Sequence, residues 1–124
     1  MAETRKAVLL IEDDEAYRYS LAKQLQGAGF DVVDMPDSLC ALTWLDTEPT
    51  LDLLIADIRL PKDTPHGYAL ARMARLKQPK LPVLFITAYD APREEKNFDA
   101  KIISKQLGLD MIVLEAQRSV GAAS

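Results

Sequence analysis

An open α/β fold, with parallel strands alternating with helices, is what this 124-residue sequence predicts, and two observations carry it. Short, nearly continuous apolar runs recur along the chain: AVLLI at 7–11, FDVVDM at 30–35, LDLLIA at 51–56, PVLFI at 82–86 and KIIS at 101–104. A strand apolar on both faces must be covered on both faces, which is the environment of a parallel sheet between helical layers. The segments between the runs carry apolar residues at three- and four-residue steps, the spacing of an amphipathic helix.

The elements follow in order. After the first run, Asp14 is placed to cap a helix whose apolar residues Tyr17, Leu21, Leu25 and Ala28 share one face, and Gly29 stops it. Asp37 or Ser38 caps a second helix that turns Leu42 and Leu45 inward before Pro49. A third helix is expected from about Gly67 to Lys77 with Leu70, Met73, Ala74 and Leu76, ended by Gln78-Pro79. A short fourth follows Pro92, and a fifth spans Leu109 to Arg118. Five strands alternating with five helices make a βαβ-type open sheet.

Composition narrows the function. The chain has the length of one domain, with 48% hydrophobic and 27% charged residues and a net charge of −4. Lys and Arg are scattered, so a direct nucleic-acid role is not expected. The first apolar run ends in acids after about five residues, too short for a signal sequence or a membrane span, so a cytoplasmic protein without membrane attachment is expected. The single cysteine, Cys40, excludes an internal disulfide and a cysteine-based metal cluster, and its place in LCALTWL reads as a packed small hydrophobe.

Open parallel sheets bind ligands beyond the carboxyl ends of their strands. Those ends carry Glu12, Asp13 and Asp14, then Asp57, Thr87 and Lys105. Carboxylates about 4 Å apart repel by roughly 4 kcal/mol per pair at an effective dielectric near 20, so acids gathered there share protons or hold a cation. Hard oxygen donors on a rim open to water suit Mg²⁺. Asp14 and Glu15 have the simpler explanation of helix N-terminal acids. Asp57 ends an apolar strand, so its backbone is held by the sheet while its carboxylate emerges beside the acids, the placement of a nucleophile toward phosphorus that yields an aspartyl phosphate. Lys105 would pair with phosphoryl oxygens and the Thr87 hydroxyl would hydrogen-bond to another.

IEDDEAYR near the start, LLIADIRLP around Asp57, FITA with Thr87 and KIISK ending in Lys105 together resemble the receiver domain of the two-component response-regulator family over nearly the whole chain. The resemblance implies a flavodoxin-like (βα)5 sandwich of strand order 2-1-3-4-5 and phosphorylation of Asp57 by a histidine kinase or histidine phosphotransfer protein. It also implies Mg²⁺ held by Glu12, Asp13, Asp57 and the Arg59 backbone carbonyl. Aligning Arg18 with the basic residue often found in the family's first helix makes Glu12 and Asp13 the metal pair; Asp13 with Asp14 is the other register. The domain is expected over 1–118, with 119–124 as a short flexible tail, in a stand-alone protein that is not an enzyme and is a monomer or weak dimer. The other class of function for such a chain is a pseudo-receiver that binds a protein partner without being phosphorylated.

Departures from the family pattern gather on one side. KDTPH between Pro61 and Gly67 is an apparent two-residue insertion, and His66 within it reads as solvent-exposed. The stretch from Thr87 to Lys105 is about one helical turn short, so the fourth helix, PREEKNF, should be stunted. Gln106 stands where a proline is usual after the lysine, and Ile102 takes the aromatic switch position, leaving the loop after Thr87, with Tyr89, to carry a switch. Arg59 and Tyr89 are bulky and have no carboxylate or amide to orient a water, so slow loss of the phosphoryl group is expected.

Overall fold

The computed structural model describes residues 5–47, 49–59, 67–88 and 99–122. Each apolar run forms a strand: β1 (Ala7–Ile11), β2 (Asp31–Met35), β3 (Leu53–Asp57), β4 (Val83–Thr87) and β5 (Lys101–Ser104). All pairings are parallel and the order is β2-β1-β3-β4-β5. Strands β3 and β4 are buried at every residue, whereas the edge strand β2 exposes Asp31 and Asp34 and the edge strand β5 exposes Lys101 and Ile102. Continuous apolar sequence therefore maps onto central strands covered on both faces.

Among the described residues four α-helices cover the sheet: α1 (Glu15–Gly27), α2 (Ser38–Leu45), α3 (Gly67–Lys77) and α4 (Leu109–Ala122). Alternation along the strands splits the core in two. Leu9, Ile11, Leu54, Ala56 and Phe85 meet Ala41, Leu45, Leu70, Ala71 and Ala74 of α2 and α3. Val8, Leu10, Leu53, Ile55 and Ile86 meet Leu21, Leu25, Ile112 and Ala116 of α1 and α4.

Local chemistry sets the helix ends. Asp14 caps α1 by accepting the Tyr17 N–H at 3.1 Å, and Asp37, rather than Ser38, caps α2 by accepting the Cys40 N–H at 2.9 Å. Gly29, at φ 101°, turns the chain out of α1 toward β2.

Four expectations change. Cys40 is exposed, not packed: Ser38, Ala41 and Leu45 form the inward stripe of α2, and Cys40 lies on the opposite side of that helix. A hydrogen bond with the Asp37 carboxylate also pushes its thiol pKa up, which keeps the sulfur protonated. On α3 the buried face is Tyr68, Leu70, Ala71 and Ala74, leaving Met73 39% and Leu76 83% exposed. Leu42 is only half-buried, at the border of the α2 stripe. The last helix continues past Arg118 to Ala122, because Ser119 donates its hydroxyl to the Glu115 carbonyl and Val120 packs on the second core. The expected helix at PREEKNF, the KDTPH insertion with His66, and Tyr89 lie outside the described residues.

Two contacts join elements that the sequence separates. Gly67 opens α3 directly against the end of β3: its N–H donates to the Ile58 carbonyl at 3.1 Å, and a Cβ there would stand 2.5 Å from the Asp57 carbonyl oxygen and 3.0 Å from the Ile58 Cα. Both obstacles are backbone, so Gly67→Ala must push α3 away from the sheet. The substitution should cost about 1–3 kcal/mol of stability, read as a lower urea midpoint; an unchanged midpoint would show that α3 moves freely against β3.

Glu115 of α4 is buried and accepts from Lys101 of β5 and from Arg118, each at 3.1 Å. The hydrogen bond with Lys101 holds its carboxyl pKa below the usual value of 4.5, against the opposing effect of burial and with help from Arg118. A depressed folded-state pKa gives stability that is present above the unfolded value and lost as pH falls through the folded one. Glu115→Gln should therefore lower the neutral-pH unfolding free energy by up to about 1 kcal/mol, and parent and variant should converge in melts below the ordinary glutamate range.

Candidate metal and phosphoryl site

The strand order reverses at β1, which has β2 on one side and β3 on the other; Glu12 and Asp13 lie just past the carboxyl end of β1, and Asp57 is the last residue of β3. The alternation that sends Leu10 and Ile55 toward α1 and α4 continues through Glu12 and Asp57, so both carboxylates emerge on that side. Register fixes the neighbours. Asp57 lies opposite Ile86, which puts Thr87 one residue further along; Thr87 lies opposite Ser104, which puts Lys105 immediately beyond.

Glu12, Asp13 and Asp57 each offer a carboxylate oxygen within 4.8 Å of the others, with Glu12 and Asp57 buried and Asp13 exposed. Asp14, the other candidate for the pair, is committed to capping α1. Arg18 reaches back from α1, donating from Nη1 to the Glu12 carbonyl at 2.8 Å and from Nε to Asp34 at 3.1 Å. Glu12 also accepts the Asp14 N–H at 2.9 Å.

The counter-charge is Lys105. Its ammonium donates to Asp57 Oδ2 at 2.8 Å and is in ion-pair contact with the enclosed Oε1 of Glu12. Asp57 Oδ1 accepts the Arg59 N–H at 2.9 Å. Thr87 is 3% exposed at the end of β4.

Electrostatics reflect this crowding. Burial drives the Glu12 pKa up from 4.5 to about 7; the hydrogen bond with Lys105 and that from the Asp14 N–H oppose the rise, while the Asp57 charge adds to it. For Lys105 burial favours loss of the proton, but the hydrogen bonds to Asp57 and Glu12 outweigh it and hold the pKa above 10.5. Three carboxylates with one ammonium are short of positive charge, and Asp13 keeps the cluster open to water. A small hard cation that retains several waters fits that donor set.

A groove of about 520 Å³ lies at the opposite end of the sheet, lined by Arg75, Lys80, Asp99 and Lys101 among others, and contains none of the three acids. Among the described residues no helix is long and apolar enough to cross a membrane.

Residues 8–116 match the family model of the response regulator receiver domain. The chain belongs to the response regulator receiver family. Among curated relatives of this receiver domain, the response regulator receiver protein CpdR of Brucella abortus (strain 2308) is 36% identical over 95% of this chain and 99% of its own. The transcriptional regulatory protein PhoP of Bacillus subtilis (strain 168) is 31% identical, and the match spans only 40% of that longer protein. A response regulator receiver protein from Sinorhizobium medicae WSM419 superposes with a TM-score of 0.88 at 24% identity, covering 97% of this chain and 98% of that one.

Two of the positions that the sequence resemblance sets apart fall within the described residues. Ile102 is 37% exposed on β5. Gln106 sits in a 3₁₀ turn, Lys105–Leu107, where its N–H is capped by the Ser104 hydroxyl at 3.1 Å. That turn starts at Lys105 and so helps to aim its side chain back over the acids.

Sequence spacing singles out every charged member of this cluster but neither Tyr17 nor Gly67 as part of it. Tyr17 is by spacing one apolar residue of the α1 face; in the structure its ring centroid also lies 4.6 Å from the Lys105 ammonium. Removing the ammonium isolates the role of charge balance. Lys105→Met leaves Glu12 and Asp57 buried together, and should destabilise the metal-free protein by about 3 kcal/mol at neutral pH. Saturating Mg²⁺ should restore most of that loss in denaturant melts; melts of parent and variant that Mg²⁺ leaves unmoved would mean that the cation does not bind among these carboxylates.

Proposed function

We propose that this receiver domain accepts a phosphoryl group on Asp57 from a histidine kinase or histidine phosphotransfer protein, with Mg²⁺ held by Glu12, Asp13, Asp57 and the Arg59 backbone carbonyl. The observation that carries the reading is the setting of Asp57. Its carboxylate sits on a fully buried strand, one oxygen on the Arg59 N–H and the other on the Lys105 ammonium, within 4.8 Å of oxygens of Glu12 and Asp13. That is a rigid nucleophile with positive charge beside it and room toward solvent at Asp13.

In the reaction an Asp57 oxygen attacks phosphorus, a C–O–P link forms, and the bond from phosphorus to the donor's nitrogen or oxygen breaks with its electron pair leaving on the donor. Bound Mg²⁺ supplies charge neutralisation between two anions that would otherwise repel. The chain's own residues do the rest. β3 holds the nucleophile still, Lys105 moves from the Asp57 carboxylate to a phosphoryl oxygen, and the Thr87 hydroxyl donates to another. The same change of partners at Lys105 and Thr87 is how the phosphorylated state would alter the protein-binding surface around them.

Incubation with Mg²⁺ and a small phosphodonor should add the mass of one phosphoryl group to the parent and none to Asp57→Asn. An Asp57→Asn protein that acquires the same Mg²⁺-dependent adduct would falsify the assignment, and a parent that acquires none would favour a binding module that works unmodified.

A further inference from the structure

We propose that Tyr17 is a positioning residue for Lys105, its ring face holding the ammonium at the rim of the site while the lysine exchanges carboxylate for phosphoryl partners. The inference rests on the reading of Asp57 as phosphoacceptor and adds to it a residue from α1.

The geometry begins with the cap. Asp14 accepts the Tyr17 N–H, so the backbone of Tyr17 is fixed in the first turn of α1, and the ring follows the inward stripe continued by Leu21 and Leu25. The Lys105 ammonium lies 4.6 Å from the ring centroid. A cation at that distance is attracted by the negative face of the ring, more strongly where water is excluded. Lys105 is 17% exposed at its side chain, so much of that water is gone.

The polar end of Tyr17 takes no part. Its hydroxyl is enclosed and, among the described residues, makes no hydrogen bond, which leaves the ring face as the useful part of the residue. Burial pushes the phenol pKa up to about 12, so the ring stays neutral.

A neutral partner has a specific value here. The other two contacts of Lys105 are carboxylates whose charges change hands: Asp57 becomes an acyl phosphate, and Glu12 is among the donors suited to the cation. An ammonium held by them alone would be released at the moment it is needed. The aromatic face has no ligand role and no titration near neutral pH, so its hold persists through the exchange.

Carbon–proton NMR of the Lys105 ε-methylene tests this without phosphorylation. In the parent those protons should be shifted upfield by the ring current and stay so in saturating Mg²⁺. Tyr17→Phe should keep the shift and Tyr17→Leu should lose it. In the phosphodonor assay Tyr17→Leu should react about 3- to 10-fold more slowly, the range a cation–π contact of this kind supports, while Tyr17→Phe stays within about twofold of the parent. Ordinary Lys105 shifts in the parent, loss of the shift on adding Mg²⁺, or a Tyr17→Leu protein that is phosphorylated at the parent rate would each overturn the proposal. If Tyr17→Leu does not fold, the parent spectra with and without Mg²⁺ still decide it. If the parent folds and is never phosphorylated, the reading of Asp57 fails while the ring contact is judged by the spectra alone.

Discussion

One ammonium balances the acidic edge of this sheet. Glu12 and Asp57 are buried, with Asp13 beside them, and the only cation the structure places in contact with the two buried carboxylates among the described residues is Lys105. Repulsion between carboxylates at this range is worth several kcal/mol where water is sparse, a large share of the stability of a domain this size. The response to that charge is visible in the Glu12 pKa, raised by burial, and in the Lys105 pKa, kept high by its two partners. Among the described residues, the contacts of Arg18, Arg59 and Tyr17 hold that lysine or the backbone and carboxylates it serves.

The sheet supplies the rigidity this requires. β1 and β3 are neighbours in register and buried on both faces, so the backbones carrying Glu12 and Asp57 cannot drift apart to relieve the repulsion. Gly67 adds a second restraint, closing α3 onto the Asp57–Ile58 backbone at a distance no Cβ would permit. A core that packs like a crystal transmits such restraint rather than absorbing it. Local strain from like charges is thus held at the rim, where a cation or a phosphoryl group changes it.

Helix α1 contributes more to the site than a capped amphipathic helix would need to. Asp14 fixes its start, Arg18 ties it to the Glu12 carbonyl and to Asp34, and Tyr17 sets its ring under Lys105. These three residues lie within one turn or so of each other and face three different partners. The first turn of α1 therefore couples β1, β2 and the end of β5 around the acids. The 3₁₀ turn after β5, capped by Ser104, completes that coupling from the other side.

Much of this was determined by the sequence alone. Five apolar runs and the helical spacing between them set the strands and helix stripes, because a parallel sheet covered on both faces demands continuous apolar segments. The cap at Asp14 and the acids, threonine and lysine at the strand ends were legible for the same reason: a residue at the end of a buried strand has nowhere to go but the rim. Residues whose role depends on a distant partner were not legible. Cys40 and Leu76 are apolar in sequence yet exposed, since which side of α2 or α3 meets the sheet is set by docking and not by composition. That Gly67 touches the Asp57 backbone, and that Tyr17 lies against an ammonium 88 positions away in the chain (105 − 17), depends on how helices seat on the sheet. Such contacts leave no periodicity or local motif behind, so only the tertiary structure decided them.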